Sequence, residues 1–171
     1  RQAGRIGPTD RYRLPTDREW DLAIGANKWP WGNHWPTLDE RPKLPGFLAE
    51  KQLTARVGSY APNALGIHDL GGNAMEWLHD WYDRGMNSRA LRKEFDRLED
   101  DGGGRRFKVL RGQSWVFFDA QNLLTEYRYP NLPHVRGGLY GFRCVLEPEA
   151  GARLLGATGA RSIPTAPAFD A

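Results

Sequence analysis

Two carboxylates, Asp69 and Glu76, stand seven residues apart in the segment HDLGGNAMEW. The pair Gly71–Gly72 between them allows the backbone to turn tightly, so that intervening carbonyl groups can face one point. Calcium prefers such a shell of carboxylate and carbonyl oxygens. The spacing therefore predicts a Ca²⁺ site. The alternative is a plain turn, in which Asp69 caps backbone amides and Glu76 pairs with an arginine.

A second group of candidate residues lies between Trp115 and Gly141, where aromatic side chains are repeatedly interrupted by glycine and proline. A helix would not survive these prolines, so most of the segment should be loop. Large apolar side chains in a loop either pack beneath the domain or form a binding surface. We expect a ligand-binding surface from the following residues of this segment: Phe117, Phe118, Tyr129, Asn131, His134, Leu139 and Tyr140.

The remaining residue types suited to catalysis are few. The chain has one cysteine, Cys144, which excludes an internal disulfide framework and a cluster of thiolate metal ligands. In YGFRCVL it alternates with Phe142 and Leu146, and this predicts a buried hydrophobic position on a strand. The four histidines show no recurrent metal-ligand spacing and are predicted to be structural or surface residues: His34, His68, His79 and His134. A catalytic alternative is an enzyme of unrecognised type that uses Tyr127, Arg128 and His134.

Short elements must position these residues. Thr16 and Glu19 have capping-box spacing ahead of Trp20, and Gly25 is a stop signal, so a helix is predicted between Arg13 and Gly25. FKVLRGQSW and YGFRCVL alternate with period two and predict strands. The tryptophan- and proline-rich segment 26–47 predicts an ordered loop. A surface helix is predicted from Ser88 to the glycines at 102–104, and residues 148–171 are predicted to form a tail or linker.

The composition excludes several classes of protein. The 171 residues, 40% of them hydrophobic, suit one domain with a single core. No apolar run approaches the roughly 18 residues of a membrane span, and residues 1–10 lack the apolar segment of a signal peptide, so a soluble protein is expected. The single cysteine favours a reducing, cytoplasmic compartment. The net charge of +3 comes from scattered arginines, which argues against nucleic-acid binding.

Four segments, YRLPTDREWDLA, VGSYAPNALGIHDLGGNAMEWLHDWYD, KVLRGQSW and YGFRCVL, resemble in order and spacing the motifs of the formylglycine-generating-enzyme, or sulfatase-modifying-factor, family. The resemblance implies an α+β fold of the C-type-lectin-like kind over residues 11–147, rich in loops, with small antiparallel sheets and few short helices. The family domain normally begins earlier, with a strand and a helix. We therefore expect that an N-terminal segment, or a partner chain, completes this domain.

The same resemblance assigns roles to individual positions. It implies a calcium site with side-chain ligands Asp69 and Glu76 and main-chain ligands Leu70, Gly72 and Ala74. Family enzymes oxidise a substrate cysteine with copper held by two cysteines between the third and fourth motifs. Ala120 and Thr125 occupy those approximate positions here, and no cysteine lies between Trp115 and Phe142. Because copper(I) requires such soft ligands, no copper and no thiol oxidation are predicted.

Variable proteins of diversity-generating retroelements place their randomised residues in this same segment of the fold. Most side-chain types between Val116 and Tyr140 belong to the set that adenine mutagenesis produces. We therefore expect a non-catalytic module that binds a protein or peptide through the Trp115–Gly141 face, with a diversified variable protein as one form of it. An oxidoreductase-type enzyme with an unrecognised active site is the alternative. The scaffold residues expected to be mostly buried are Trp20, Trp77, Trp81, Trp115 and Phe142.

Overall fold

The computed structural model describes residues 10–37, 39–41, 54–88, 106–117 and 119–147. Within them the elements are β1 (Arg11–Arg13), α1 (Asp17–Ile24), β2 (Met75–Trp81), a 3-10 turn (Arg84–Met86), β3 (Lys108–Arg111), β4 (Tyr129–Asn131), β5 (Tyr140–Gly141) and β6 (Val145–Glu147). Phe118, the predicted tail and all of the predicted surface helix beyond Ser88 lie outside the described residues. None of the described helices has the length and apolar character needed to cross a bilayer.

Helix α1 forms where the capping box predicts it. The Thr16 side chain accepts a hydrogen bond from the Glu19 N–H, and the Glu19 carboxylate accepts one from the Thr16 N–H. The helix ends at Gly25, which has a φ of 83°. Trp20 and Ile24 form its buried side. The helix prediction is confirmed because every determinant lies within one short segment.

The main sheet has four strands in the order β4-β3-β2-β5. The pairs β2–β3 and β3–β4 are antiparallel, whereas β2 and β5 run parallel. β1 and β6 form a separate two-stranded sheet. The chain divides into two compact units, residues 13–145 and residues 1–12 with 146–171. Helix α1 and the four-stranded sheet belong to the first unit, and the fold is α+β with short elements and long loops.

One face of the four-stranded sheet carries the core. Leu78 of β2 and Val109 of β3 pack with Trp20 and Ile24 of α1 and with Leu70 from the preceding loop. Strand β3 ends at Arg111 because Gly112 and Gln113 adopt left-handed conformations, with φ of 85° and 54°. A Cβ on Gly112 would lie 2.9 Å from the Leu70 carbonyl oxygen and 3.2 Å from the Trp20 ring. Glycine is therefore needed here for a close approach of the backbone to the core.

Two burial predictions are wrong. Phe142 is 69% exposed, and Cys144 is exposed as well. Both lie in the stretch between β5 and β6 that is not strand, so period-two alternation does not assign them a buried face. Trp20 is fully buried, and Trp77, Trp81 and Trp115 leave only a minor part of their surface exposed, so these four residues are mostly buried, as predicted.

Candidate functional site

The register of the sheet brings predicted binding residues onto a common face. Trp77 of β2 lies opposite Leu110 of β3, which lies opposite Tyr129 of β4. After a register shift in β2 between Trp77 and Trp81, Trp81 lies opposite Lys108, which lies opposite Asn131. Directly opposed residues project from the same side of a sheet. The side chains on this face surround Leu110, which is buried. Together with Tyr140, which pairs with Met75, the partly exposed residues of the face are called the aromatic face: Trp77, Trp81, Lys108, Tyr129, Asn131 and Tyr140.

Ring contacts connect this face to its surroundings. The Tyr140 and Trp77 ring centroids are 5.9 Å apart, and those of Phe117 and Tyr129 are 6.5 Å apart. All four rings are partly exposed, so they serve both as packing and as accessible surface. Leu139 is partly exposed too, and its carbonyl accepts a hydrogen bond from the Met75 N–H.

The other predicted residues have different surroundings. Asn131 is partly exposed, and its side-chain oxygen accepts from the Leu132 N–H. His134 is exposed, and within the described part of the chain no hydrogen bond or ring contact joins it to the aromatic face. The structure thus brings Phe117, Tyr129, Asn131 and Tyr140 together and leaves His134 apart.

A shallow groove opens beside the aromatic face. It has a volume of about 260 Å³ and is called the Phe142 groove; its lining residues are Leu14, Trp77, Leu78, Lys108, Pro133 and Phe142. This volume is below the roughly 300–1,000 Å³ typical of small-molecule sites. The groove is the right size for one or two side chains of a larger ligand.

Lys108 places a positive charge in the groove. Its Nζ lies 4.0 Å from the centroid of the Trp81 ring and donates a hydrogen bond of 2.5 Å to the His79 carbonyl. The stacked position holds the ammonium group at the surface, beside apolar rings. Sequence reasoning missed Lys108, Trp77 and Trp81 as site residues, although the alternation in MEWLHDW indicates that both tryptophans share one face.

Two buried arginines anchor the loop that leads to β4. Arg111 and Arg128 each pair with both Asp17 and Asp21 of α1; the Arg128 Nη2 lies 2.9 Å from an oxygen of each aspartate. Arg111 also donates to the Thr125 carbonyl at 2.5 Å. Burial lowers the pKa of Arg111, and the nearby Arg128 charge lowers it further, while the aspartates oppose the shift. The four charges therefore form one mutually dependent cluster.

This cluster also bears on the catalytic alternative. The Arg128 guanidinium donates hydrogen bonds to Asp17 and Asp21 of α1, and Tyr127 is only 2% exposed. His134, by contrast, is exposed. The three residues do not share an accessible surface.

The turn between Asp69 and Glu76 is held by specific hydrogen bonds. Arg143 donates hydrogen bonds to both carboxylate oxygens of Glu76, from Nε to Oε2 at 2.5 Å and from Nη2 to Oε1 at 2.7 Å. Burial raises the pKa of Glu76, and the hydrogen bond from Arg143 opposes that rise. Asp69 accepts from the Gly58 N–H at 2.7 Å through Oδ2, whereas its Oδ1 is buried without a hydrogen-bond partner among the described residues. The arginine pairing of Glu76 and the amide cap on Asp69 correspond to the plain-turn alternative.

The predicted calcium ligands fit an ion only in part. Asp69 offers one unpaired oxygen, but Arg143 occupies both oxygens of Glu76. The main-chain candidates Leu70 and Gly72 are buried, and Ala74 is partly exposed. The described residues contain no group of three or more His, Cys, Asp or Glu side chains placed to hold a metal. Calcium binding stays a prediction, and it requires Glu76 to exchange Arg143 for the ion.

Known proteins resemble this chain over most of its length. The family model described as "Sulfatase-modifying factor enzyme 1-like domain" matches residues 1–148. The "Serine/threonine-protein kinase pkn1" of Chlamydia pneumoniae is 32% identical over 136 residues, which cover 77% of this chain and 20% of that protein. The "Formylglycine-generating enzyme" of Streptomyces coelicolor is 29% identical over 153 residues, covering 80% of this chain and 47% of that enzyme.

A solved structure shows the same fold. "Treponema denticola variable protein 1" superimposes with a TM-score of 0.55 and 26% sequence identity, covering 78% of this chain and 46% of that one. The chain thus spans between a fifth and about half of the length of these relatives.

Proposed function

The chain belongs to the sulfatase-modifying factor enzyme 1-like family, and on that premise we propose that it is a non-catalytic module that binds a protein or peptide through the aromatic face. The observation that carries the proposal is the pair of cross-strand rows that set Trp77, Tyr129, Lys108 and Asn131 on one partly exposed face. The exposed ring of Phe142 extends this surface at the adjoining groove.

The residue types of the face suit a macromolecular ligand. Tryptophan and tyrosine offer large contact areas while losing the freedom of only two side-chain torsions on binding. Interface cores are enriched in aromatic residues and depleted of most charged ones. The small volume of the Phe142 groove argues in the same direction, because it accommodates a side chain better than a complete small molecule.

We do not propose for this chain the copper-dependent thiol oxidation that the family resemblance would suggest. A thiolate pair is the soft ligand set that copper(I) selects. No cysteine lies between Trp115 and Phe142, and the single thiol of the protein is the exposed Cys144. An oxidoreductase with an unrecognised active site is the competing function. Copper-dependent oxidation of a cysteine-containing peptide by this chain would favour it.

The resemblance to a variable protein supports a finer form of the proposal. In that form the side chains between Val116 and Tyr140 are diversified so that one scaffold presents many binding surfaces. Sequencing the adjoining DNA tests it. A nearby reverse transcriptase and a template repeat rich in Asn codons would support diversification, and their absence would contradict it.

A peptide selection tests binding by the face. A phage-displayed random peptide library is selected on the immobilised protein, and enriched peptides are titrated against Phe142→Ser. Val57→Ser is the matched control, because Val57 is 83% exposed and lies outside the aromatic face. We expect Phe142→Ser to weaken binding by about 1 kcal/mol or more, as removal of an interface anchor does, and Val57→Ser to leave it unchanged. Peptides that bind both variants as tightly as the parent, or a selection without enrichment, would refute the proposal.

A further inference from the structure

A second cavity shares no lining residue with the aromatic face or the Phe142 groove. It has a volume of about 350 Å³ and lies between residues 27–31 and residues 61–71; it is called the Asp69 cavity. Its walls are mostly apolar and include Pro30, Trp31, Ile67 and Leu70. Unlike the Phe142 groove, it falls within the size range of small-molecule sites.

The walls of the cavity are built by specific contacts. The Trp29 and Gly32 backbones exchange hydrogen bonds of 2.9 and 3.0 Å, which fix the turn that carries Pro30 and Trp31. A Cβ on Gly71 would lie 2.1 Å from the Pro30 Cγ, so this wall approaches the glycine as closely as sterics allow. A site held in this way loses little entropy on binding a ligand.

The opposite wall is organised by Asn63. Its side-chain oxygen accepts from the Leu65 and Ile67 N–H groups at 3.0 Å each, and its amide nitrogen donates to the Ala23 carbonyl at 2.6 Å. With its polar atoms so engaged, Asn63 shapes the loop and is not the group that would bind a ligand's charge.

Asp69 is the charged residue in the lining, and its charge is uncompensated. No cation among the described residues forms an ion pair with it, and its Oδ1 is buried without a hydrogen bond. The backbone of Asp69 is left-handed, with a φ of 58°, a conformation that aspartate adopts more readily than most residues. The pKa of Tyr60 is raised mainly by burial and further by the Asp69 charge. The carboxylate is partly buried and accepts one hydrogen bond, from the Gly58 N–H, so a bound cation would supply the charge partner that it lacks.

We propose that the Asp69 cavity binds an organic cation, an ammonium or guanidinium group on a short apolar body. The cationic head pairs with the Asp69 carboxylate, and the body packs against Pro30 and Trp31. An inorganic ion would use the carboxylate but leave the apolar walls without a role. The inference is independent of binding at the aromatic face, since the two sites share no residue.

An NMR titration tests whether the Asp69 cavity binds an organic cation. The cation is phenethylamine, and the control is 2-phenylethanol, which has a similar shape but no charge. Both are titrated in calcium-free buffer that contains EGTA. We expect saturable shifts of the Trp31 indole and Ile67 amide signals with the amine. The alcohol should bind about tenfold or more weakly, because a charge-assisted hydrogen bond is lost. The Asp69→Asn variant should bind phenethylamine about tenfold or more weakly than the parent does. Asparagine also tolerates the left-handed backbone and keeps an acceptor for the Gly58 N–H.

Glu126→Gln is the matched control, because Glu126 is exposed and lies outside the cavity. The affinity of this variant for phenethylamine should stay within about twofold of that of the parent. Equal affinities for amine and alcohol, parent-like binding by Asp69→Asn, or the absence of saturable shifts would each overturn the proposal. Thermal melting of Asp69→Asn establishes whether the variant folds. If it does not, the comparison of amine with alcohol on the parent decides alone.

Discussion

At the scale of single residues, long-range partners determine what each charge does. Glu19 caps the backbone of α1 and also accepts two hydrogen bonds of 2.7 Å from Arg13. Glu76 has the same kind of partner in Arg143 but is largely buried, so the pKa of Glu76 rises whereas that of Glu19 falls. The same pairing therefore has opposite net effects on the two pKa values, according to how strongly each carboxylate is desolvated.

Glu19 predicts a pH dependence of stability. The hydrogen bond from Arg13, chiefly, lowers the pKa of Glu19 from 4.5 to about 2 in the folded protein. A lowered folded-state pKa stabilises the protein above pH 4.5, and this stabilisation is lost as the pH falls from about 4.5 to about 2. Because Glu19 is partly exposed, we expect Glu19→Gln to cost no more than about 1 kcal/mol at pH 7.

Melting temperatures measured between pH 2 and pH 7 test the Glu19 prediction. The difference between Glu19→Gln and the parent should shrink as the pH falls through this window. Glu126→Gln, at an exposed position, should follow the parent throughout. A difference that does not change with pH would show that the effect of Glu19 is not electrostatic.

Calcium binding at Asp69 gives a second prediction at this scale. An ion bound only to the folded state stabilises it by mass action, so a chelator should lower the melting temperature and excess calcium should restore it. The response should disappear in Glu76→Gln if Glu76 is a ligand. If neither chelator nor calcium changes the melting temperature of the parent, the result would contradict calcium binding. It would indicate that Glu76 stays paired with Arg143.

At the scale of elements, helix α1 and the loop before β4 are joined through charge. Asp17 and Asp21 of α1 pair with Arg111 of β3 and with Arg128. Arg128 in turn donates to the Glu126 carbonyl at 2.6 Å and is adjacent to β4. The position of Tyr129 on the aromatic face therefore depends on a helix more than 100 residues earlier in the chain.

We predict that Arg128→Ala is strongly destabilising. It leaves Asp17 and Asp21 with only Arg111 as a cationic partner in this cluster, and breaking a buried ion network from one side costs about 3–5 kcal/mol. Chemical denaturation measures the loss. Arg136→Ala, at an exposed position, is the control and should stay within about 0.5 kcal/mol of the parent. A similarly small effect of Arg128→Ala would show that the cluster does not hold the loop.

At the scale of the whole molecule, the two faces of the four-stranded sheet have different roles. One packs against α1 through Leu78 and Val109, and the other carries the aromatic face. Tyr129 and Tyr140 are partly covered, so replacing them is expected to disturb packing as well as binding. Phe142 is exposed and separates the two effects.

We therefore predict contrasting stabilities for two apolar substitutions. Phe142→Ser should change the free energy of unfolding by no more than about 0.5 kcal/mol, because its ring is exposed. Leu110→Ala should cost about 2–5 kcal/mol, since Leu110 is completely buried and its truncation leaves a cavity. Chemical denaturation of both variants tests the contrast, and a large loss for Phe142→Ser would place its ring in the core instead of on the binding surface.

The sequence alone determined the features that depend on nearby residues. The capping box at Thr16 and Glu19 and the stop at Gly25 lie within one segment, so α1 could be predicted with its ends. The four motifs identified the family scaffold in the same way, through residue types at short spacing. The lack of cysteine between Trp115 and Phe142 is likewise a property of the sequence itself.

Only the tertiary structure decided which side chains meet and which stay exposed. Arg143 reaches Glu76 across 67 residues of sequence, and no local pattern specifies that pair. Alternation predicted that Phe142 and Cys144 are buried, but the break between β5 and β6 leaves both exposed. The aromatic face likewise requires the register of four strands. Local hydrogen bonding sets the elements, whereas burial and pairing depend on contacts between segments far apart in the chain, which spacing within one segment does not encode.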